Sequence, residues 1–310
     1  MSKNTSKQLS NFIQSDNMKE LSVRLLTGIG LIALILVGTL ININTFFVVF
    51  GIINLMCLVE YVSITMHEDT TNDKLQTVRK IISVLIGLFP FVWMILYFQD
   101  PAFATQPKVW VSYLAFFLSY IVFEFLTNDN YPLKNTPHVL FGTIYIGLAF
   151  SLLIYLTYFN HTFFDIPIDE SPRFILGIAL LIYMYDSGAY VTGRLFGKHL
   201  LFPKASPKKT WEGAIGGGVL TIVMAYLYTL FFFKDALHWY DWIAIAGIIS
   251  IFGVFGDLIE SKLKRKYKLK DSGDVLRFSL LPGHGGFLDR YDGFILIIPF
   301  IAFYFIWMYL

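Results

Sequence analysis

Long apolar stretches separated by short polar segments run along almost the whole chain. A membrane-spanning helix needs about 20 predominantly apolar residues, and nine stretches approach that length. Glycines weaken the eighth stretch, and only the short turn Asn42–Asn44 separates the first two. The predicted spans are residues 25–41, 45–66, 81–98, 109–126, 139–159, 174–191, 214–233, 242–258 and 294–310. The pattern therefore indicates an all-α, polytopic integral membrane protein with about nine transmembrane helices.

The composition agrees with a membrane protein and excludes several other classes. Of the 310 residues, 56% are hydrophobic and only 15% are charged, whereas a soluble domain carries about 25% charged residues. That shortage of charge excludes a disordered chain, a coiled coil and an ordinary water-soluble enzyme. The single cysteine, Cys57, excludes a disulfide framework and a cysteine-based zinc site. A net charge of +2 gives no indication of a nucleic-acid partner.

Lysine and arginine are distributed unevenly among the predicted loops. One side of the membrane holds the N-terminus and the loops after the second, fourth, sixth and eighth stretches, with 21 of the 24 Lys and Arg residues. Because such residues concentrate in cytoplasmic loops, the N-terminus is predicted to be cytoplasmic and the C-terminus to lie outside. Residues 1–24 are polar and lack a signal-peptide cleavage pattern. They are predicted to be a cytoplasmic N-terminal segment, followed by a single transmembrane catalytic domain over residues 25–310.

Two predicted cytoplasmic loops, residues 192–213 and 259–293, are longer and more polar than a tether requires, and we expect the active site there. At the start of the second loop, Asp257, Glu260 and Lys264 share one face if the eighth helix continues through them. Asp289 and Asp292 form a second acidic pair. Mg²⁺ prefers oxygen ligands and binds carboxylates together with substrate phosphates. The two pairs therefore favour a Mg²⁺ site, with a second cation left open.

The basic run Lys262–Lys270 has two interpretations. It is either a phosphate clamp or the juxtamembrane cluster that topology and anionic lipids favour in any case. The glycine-rich stretch Pro282–Gly286 supports the first, because glycines let backbone N–H groups approach a phosphate closely. His284 within it is predicted to be a site residue rather than an ordinary loop histidine. The predicted phosphate contacts of this loop are Arg265, Gly285 and Gly286.

An ionisable residue, Asp186, interrupts the sixth apolar stretch. Such residues are costly in a membrane and are functional candidates by default; the alternative is a capped or snorkelling end residue. In the polar turn that follows, Ser206 or Thr210 is expected to cap the seventh helix. Glu60 and Glu124 stay open between a snorkelled end residue and a support for the site. The predicted substrate-binding residues of this loop are Arg194, Lys198, Ser206, Lys208 and Lys209.

Together these two segments resemble the signature of the phosphatidate cytidylyltransferases, the CDP-diacylglycerol synthases. The run from Ser261 to Asp292 keeps S-x-L-K-R, then K-D-S-G, then P-G-H-G-G-x-x-D-R-x-D. The upstream D-S-G-A-Y, G-R-x-F-G-K-H and S-P-K-K-T-W-E-G also resemble that family. One departure is an extension around Val275–Ser279, between Asp271 and His284. A longer loop costs little closure entropy, but it puts the roles of the K-D-S-G residues in doubt.

The resemblance implies transfer of the cytidylyl group of CTP to phosphatidic acid, giving CDP-diacylglycerol and pyrophosphate in phospholipid biosynthesis. It implies Asp257 and Asp289 as metal ligands, with Glu260, Asp186 and Asp292 as further ligands or supports. It also implies Lys264 and Arg290 as phosphate contacts, and His284 in orientation or phosphate binding. The expected partners are CTP, phosphatidic acid and membrane lipids, without nucleic acid; a homodimer is left open. The expected location is the inner membrane, with the active site facing the cytoplasm.

Two rival functions predict different chemistry. A polyprenol kinase would use similar metals and basic loops with another acceptor. An ion-coupled transporter would place polar or broken helices near the middle of the membrane. The polar residues here cluster at one face instead, which favours the lipid enzyme.

Overall fold

Helices account for nearly all of the computed structural model, which describes residues 26–66, 73–127, 133–202, 206–231, 237–269, 271–275 and 285–310. Within these residues, eight helical segments are long and apolar enough to cross a membrane, and a shorter apolar helix precedes them. The predicted architecture of about nine membrane helices is thus confirmed. The main helices are α1 (Leu26–Leu40), α2 (Ile43–Thr65), α3 (Asp73–Gln99), the short α4 (Pro101–Ala104), α5 (Pro107–Thr127), α6 (Thr136–Gly142), α7 (Leu148–Phe163), α8 (Arg173–Phe196), α9 (Trp211–Phe231), α10 (Trp239–Lys266) and α11 (Leu288–Tyr309).

In the described part of the chain, two irregular helical turns and a hairpin connect the helices. A π-helical turn, Thr143–Gly147, joins α6 to α7, and a 3₁₀ turn, Ser272–Val275, lies between α10 and α11. Strands β1 (Leu200–Phe202) and β2 (Ser206–Thr210) form an antiparallel hairpin between α8 and α9. The sequence pattern did not predict this hairpin, because its strands are too short to show an alternating period.

Both site loops are shorter than predicted, because the helices beside them are longer. The eighth predicted span ended at residue 258, but α10 continues through the start of the basic run to Lys266. At the other loop, Thr210 caps α9 as expected: its Oγ1 accepts the N–H of Gly213 at 3.2 Å. Because α10 extends to Lys266, the backbone of both Asp257 and Glu260 is helical.

Helix α8 packs most extensively against α9, and small residues allow the close approach. A Cβ on Gly217 would lie 2.9 Å from the Ala189 Cβ, and one on Gly213 would lie 3.1 Å from the Gly193 Cα. Gly193 thus lies where the backbones of α8 and α9 meet.

Glu124 belongs to a buried ion pair rather than to a snorkelling end. Its Oε1 lies 2.9 Å from Nε of Arg79, and both side chains are at most 1% exposed. Asn135 donates to the other Glu124 oxygen at 3.0 Å, and Arg79 also donates to Thr127. This cluster ties α3 to α5, so Glu124 is a buried link between two helices of the bundle.

A second buried carboxylate, that of Asp241, lies at the end of the bundle opposite to the start of α11. Asp241, in the first turn of α10, accepts hydrogen bonds from the hydroxyls of Tyr304 and Tyr309, each at 2.7 Å. The N–H of His238 donates to the same carboxylate at 3.1 Å. We refer to this as the Asp241 end and to the end where α11 begins as the site end.

Candidate active site

Asp289 lies in the first turn of α11, where its carboxylate accepts hydrogen bonds from two separate backbone segments. The N–H groups of Ser272 and Gly286 both donate to Oδ2 at 2.9 Å. Nζ of Lys264 lies 2.7 Å from Oδ1. Asp289 thus joins the end of α10, the 3₁₀ turn and the loop that enters α11, as a carboxylate at a helix N-terminus favours.

Lys264 joins two of the predicted metal ligands. Besides Asp289, its Nζ contacts Oε2 of Glu260 at 2.9 Å, one turn earlier on α10. The predicted shared face of Glu260 and Lys264 is therefore present. Lys264 was predicted to contact phosphate, and in this structure its ammonium is paired with these carboxylates.

Glu60 is the residue of the site that lies furthest away in sequence. It is on α2, and its side chain is fully buried. Its carboxylate accepts the Ser272 hydroxyl at 2.7 Å and the N–H groups of Phe287 and Leu288 at 2.9 Å. Of the two interpretations left open for Glu60, the structure excludes a snorkelled end residue.

The two glycines before α11 allow this close packing. Gly285 has φ of +77°, a conformation that side chains other than glycine rarely adopt. A Cβ on Gly286 would collide with the Ser272 hydroxyl and the Glu60 carboxylate. Gly286 was predicted to offer its N–H to a phosphate, but that N–H already donates to Asp289.

Two residues of the K-D-S-G motif, Ser272 and Gly273, lie in the site. Ser272 and Gly273 pack against Gly285 and Gly286, since a Cβ on Gly273 would lie 2.9 Å from the carbonyl oxygen of Gly285. Residues 276–284, including the predicted site residue His284, lie outside the described part of the chain. In the sequence, the loop extension therefore lies between two pairs of residues that contact each other, Ser272–Gly273 and Gly285–Gly286.

A second cluster lines a cavity of about 390 Å³ between α8, α9, α10 and the hairpin. Asp186 and Arg194 of α8 and Lys209 of β2 line it, together with Tyr185 and Tyr190. Its volume lies within the range of about 300–1,000 Å³ that is typical of ligand pockets. The structure thus brings together one carboxylate and two cations of the upstream motif, next to aromatic rings.

The remaining predicted residues lie around these two clusters. Arg290 of α11 and Tyr183 of α8 line the same small cavity, which places Arg290 on the α8 side of α11. Asp292 is buried, and its Oδ1 accepts the N–H of Gly293 at 2.7 Å. Lys198 and Arg265 are exposed, and the Lys198 N–H donates to Glu212. The backbone of Asp257 belongs to α10, but its side chain and those of Ser206 and Lys208 lie outside the described part.

The donor chemistry at the site fits a divalent cation. The Lys264 ammonium pairs with the carboxylates of Glu260 and Asp289, and the carboxylates of Glu60 and Asp292 are buried as well. Burying unbalanced charge is costly. Glu260 Oε1 is buried and, within the described residues, has no hydrogen-bond partner. Among those same residues, no three Asp, Glu, His or Cys side chains are already grouped as metal ligands.

Comparison with known proteins agrees with this combination of acidic and basic motifs. The model of the cytidylyltransferase family matches residues 22–308, nearly the whole chain. The chain belongs to the cytidylyltransferase family. A phosphatidate cytidylyltransferase of Bacillus subtilis (strain 168) is 34% identical over 223 residues, which cover 71% of this chain and 77% of the relative. One from Staphylococcus haemolyticus (strain JCSC1435) is 35% identical over 196 residues, covering 63% and 68%.

Within this cytidylyltransferase-family chain, the motifs alone missed the contribution of α2. Glu60 lies outside both motif segments, and Ser272 was placed in doubt because of the loop extension. The sequence did carry one signal for Glu60, an ionisable residue inside an apolar stretch, which by itself marks a functional candidate. Its partners lie more than 200 residues away, with Ser272 separated by 212 positions and Leu288 by 228.

Proposed function

We propose that the chain transfers the cytidylyl group of CTP to phosphatidic acid, producing CDP-diacylglycerol and pyrophosphate. One observation carries the proposal: the acidic cluster around Asp289 and the basic cavity around Lys209 lie on adjoining helices at the site end of a membrane bundle. Relatives that match most of this chain are named phosphatidate cytidylyltransferases. The lipid substrate keeps its acyl chains in the bilayer, so its phosphate reacts at the depth of helix ends.

The cavity beside α8 is the proposed CTP site. Arg194 and Lys209 offer positive charge to the triphosphate, and an arginine suits bidentate contact with phosphate oxygens. Tyr185 and Tyr190 offer ring surface beside them. These groups neutralise and orient two polyanions that would otherwise repel each other, and such positioning supplies most of the acceleration in phosphoryl-group transfer.

The lipid phosphate needs no general base to attack the α-phosphorus of CTP. A phosphate monoester carries about −1.5 to −2 charges at pH 7, so the attacking oxygen is already ionised. Arg290, at the start of α11, and the exposed Arg265 are proposed to attract and hold it. His284 is assigned to orientation or phosphate binding, as the family resemblance implies.

Asp257 and Asp289 are proposed to hold Mg²⁺, and Glu260, Asp186 and Asp292 are proposed as further ligands or supports. A second cation is left open. Such a cation binds triphosphate oxygens and stabilises the charge that develops on the leaving pyrophosphate. Lys264 keeps Glu260 and Asp289 together, and the two backbone N–H groups on Asp289 fix its orientation. Residues 25–310 would then form one catalytic domain.

The site is proposed to face the cytoplasm from the inner membrane, where CTP is available. The support is the uneven distribution of Lys and Arg, of which 21 of 24 fall on one side of the predicted topology. A membrane-impermeant maleimide tests this, because the native Cys57 is fully buried. An Arg265→Cys variant should be labelled in inside-out vesicles and protected in right-side-out cells. The reverse pattern would contradict the orientation.

Isotope position in CTP tests the reaction. With purified protein, phosphatidic acid and Mg²⁺, label on the α-phosphorus should appear in the lipid, and label on the γ-phosphorus should appear in pyrophosphate. Transfer of γ-label to lipid would identify a kinase instead. A parallel reaction with polyprenol as the acceptor should leave both labels in the nucleotide; polyprenol as the only working acceptor would overturn the proposal.

A further inference from the structure

Glu60 makes three hydrogen bonds that neither motif accounts for. Its carboxylate is fully buried in α2, where an unpaired charge would be very costly. All three donors belong to the two segments that form the site around Asp289. They are the Ser272 hydroxyl and the N–H groups of Phe287 and Leu288. The hydrogen bonds that hold the Glu60 carboxylate in place also restrain the three donor groups.

Two of these donors are backbone groups at the start of α11. The first N–H groups of a helix have no partner within the helix, and a negative charge there is favoured by the helix dipole. The residue before α11, Phe287, provides no side-chain cap. Glu60 therefore supplies from another helix the acceptor that a local capping residue would normally provide.

The same two chain segments are also held by Asp289. Ser272 donates its hydroxyl to Glu60 and its N–H to Asp289. The N–H of Gly286 donates to Asp289, and that of the next residue, Phe287, donates to Glu60. Neighbouring groups of the same backbone thus donate in turn to Asp289 and to Glu60. A shift of either segment away from Glu60 would therefore also move the donors that orient Asp289.

We propose that Glu60 is a positioning residue of the cytidylyl-transfer site. It fixes the backbone of the Ser272 turn and the Gly286–Leu288 segment, and thereby the orientation in which Asp289 presents its carboxylate. The inference rests on the proposed function, because the consequence of misplacing Asp289 is lost turnover. Glu60 itself contacts no substrate in this account.

A Glu60→Gln variant keeps the shape of the side chain but cannot keep its bonding. Oε1 accepts from Phe287, and Oε2 accepts from Leu288 and Ser272. In either orientation of the glutamine, its NH₂ group would face a backbone N–H, so one of these bonds is lost and two donors oppose each other. Since hydrogen bonds to a charged group are stronger than those between neutral groups, we expect kcat to fall at least about tenfold. The Mg²⁺ concentration for half-maximal turnover should rise.

Hydrogen exchange gives a readout that does not depend on turnover. In wild-type protein in detergent, the amides of residues 286–288 should exchange slowly, and Glu60→Gln should accelerate their exchange at least about tenfold. Ser272→Ala removes one of the three bonds and should have a smaller effect on both exchange and kcat. In the double variant, the two effects should be less than additive, because both substitutions weaken the same hydrogen-bonded cluster around residue 60.

Glu124→Gln is the matched control, since Glu124 is an equally buried carboxylate held by Arg79 and Asn135. It should lower the melting temperature without changing kcat per folded molecule, the Mg²⁺ requirement or exchange at residues 286–288. The proposal is overturned if Glu60→Gln accelerates exchange and keeps wild-type kcat and Mg²⁺ dependence, or if it behaves like the control. If wild-type protein does not transfer the cytidylyl group at all, the proposed function fails, while the exchange comparison still tests the anchoring.

Discussion

A methyl group added at Gly286 would occupy space that the site already uses. The new Cβ would collide with the Ser272 hydroxyl and the Glu60 carboxylate, and it would lie 2.7 Å from the backbone nitrogen of Gly273. None of these atoms belongs to a flexible, exposed side chain. Glu60 and Ser272 are both fully buried, and the Gly273 nitrogen is a backbone atom. In Gly286→Ala, either the loop or the Glu60 side chain must move.

The size of the effect follows from the bonds at risk. Glu60 accepts three hydrogen bonds, at 2.7, 2.9 and 2.9 Å. If the displacement breaks two of them, the loss is about 3–6 kcal/mol, at about 1.5–3 kcal/mol for each bond to a charged group. The movement also withdraws the Gly286 N–H from Asp289, so turnover should fall together with stability.

Thermal unfolding and CTP turnover of detergent-purified protein measure the two effects. Gly286→Ala should lower the melting temperature by more than about 5 °C and reduce turnover sharply. Gly247→Ala is the control, because a Cβ there meets nothing within 4 Å and lies inside α10. That change should be neutral or stabilise by about 0.5–1 kcal/mol. Wild-type stability and turnover in Gly286→Ala would refute the packing argument.

Three further perturbations test other parts of the account. Lys209→Ala removes a cation from the cavity and should raise the KM for CTP about tenfold or more; an unchanged KM in initial-rate assays would remove Lys209 from the CTP site. Chelation of divalent cations should abolish turnover, and added Mg²⁺ should restore it; full turnover in excess chelator would contradict the metal assignment. Gly217→Val should lower the melting temperature well below that of Gly30→Val, because a Cβ at Gly217 approaches Ala189 at 2.9 Å and one at Gly30 meets nothing within 4 Å. Equal melting temperatures would show that α8 and α9 do not depend on that contact.

The helical architecture could be predicted from the sequence because hydropathy along the chain directly records which segments cross a membrane. Helix ends were harder to predict: α10 continues to Lys266, eight residues beyond the predicted span, since charged residues are compatible with a helix outside the apolar layer. The hairpin of β1 and β2 was missed because three and five residues carry too little pattern.

The site was predictable only as far as its residues share a local segment. Asp289, Gly285 and Gly286 stand close together in sequence, and so do Glu260 and Lys264. Glu60 was left open because hydropathy gives no information on which helices become neighbours. Similarly, Lys264 was expected to face phosphate, because a sequence does not show that two carboxylates already surround its ammonium.

Substitution of Asp289 tests the central claim, that cytidylyl transfer takes place at the site end of the bundle. Asp289→Asn should reduce transfer of the α-phosphorus label from CTP to phosphatidic acid at least about 100-fold, as loss of a charge-positioning group does in other active sites. Asp241→Asn is the matched comparison, because Asp241 also accepts three hydrogen bonds, but at the opposite end. It should lower stability and keep wild-type transfer per folded molecule. Undiminished transfer in Asp289→Asn, or an equal loss in both variants, would contradict the account.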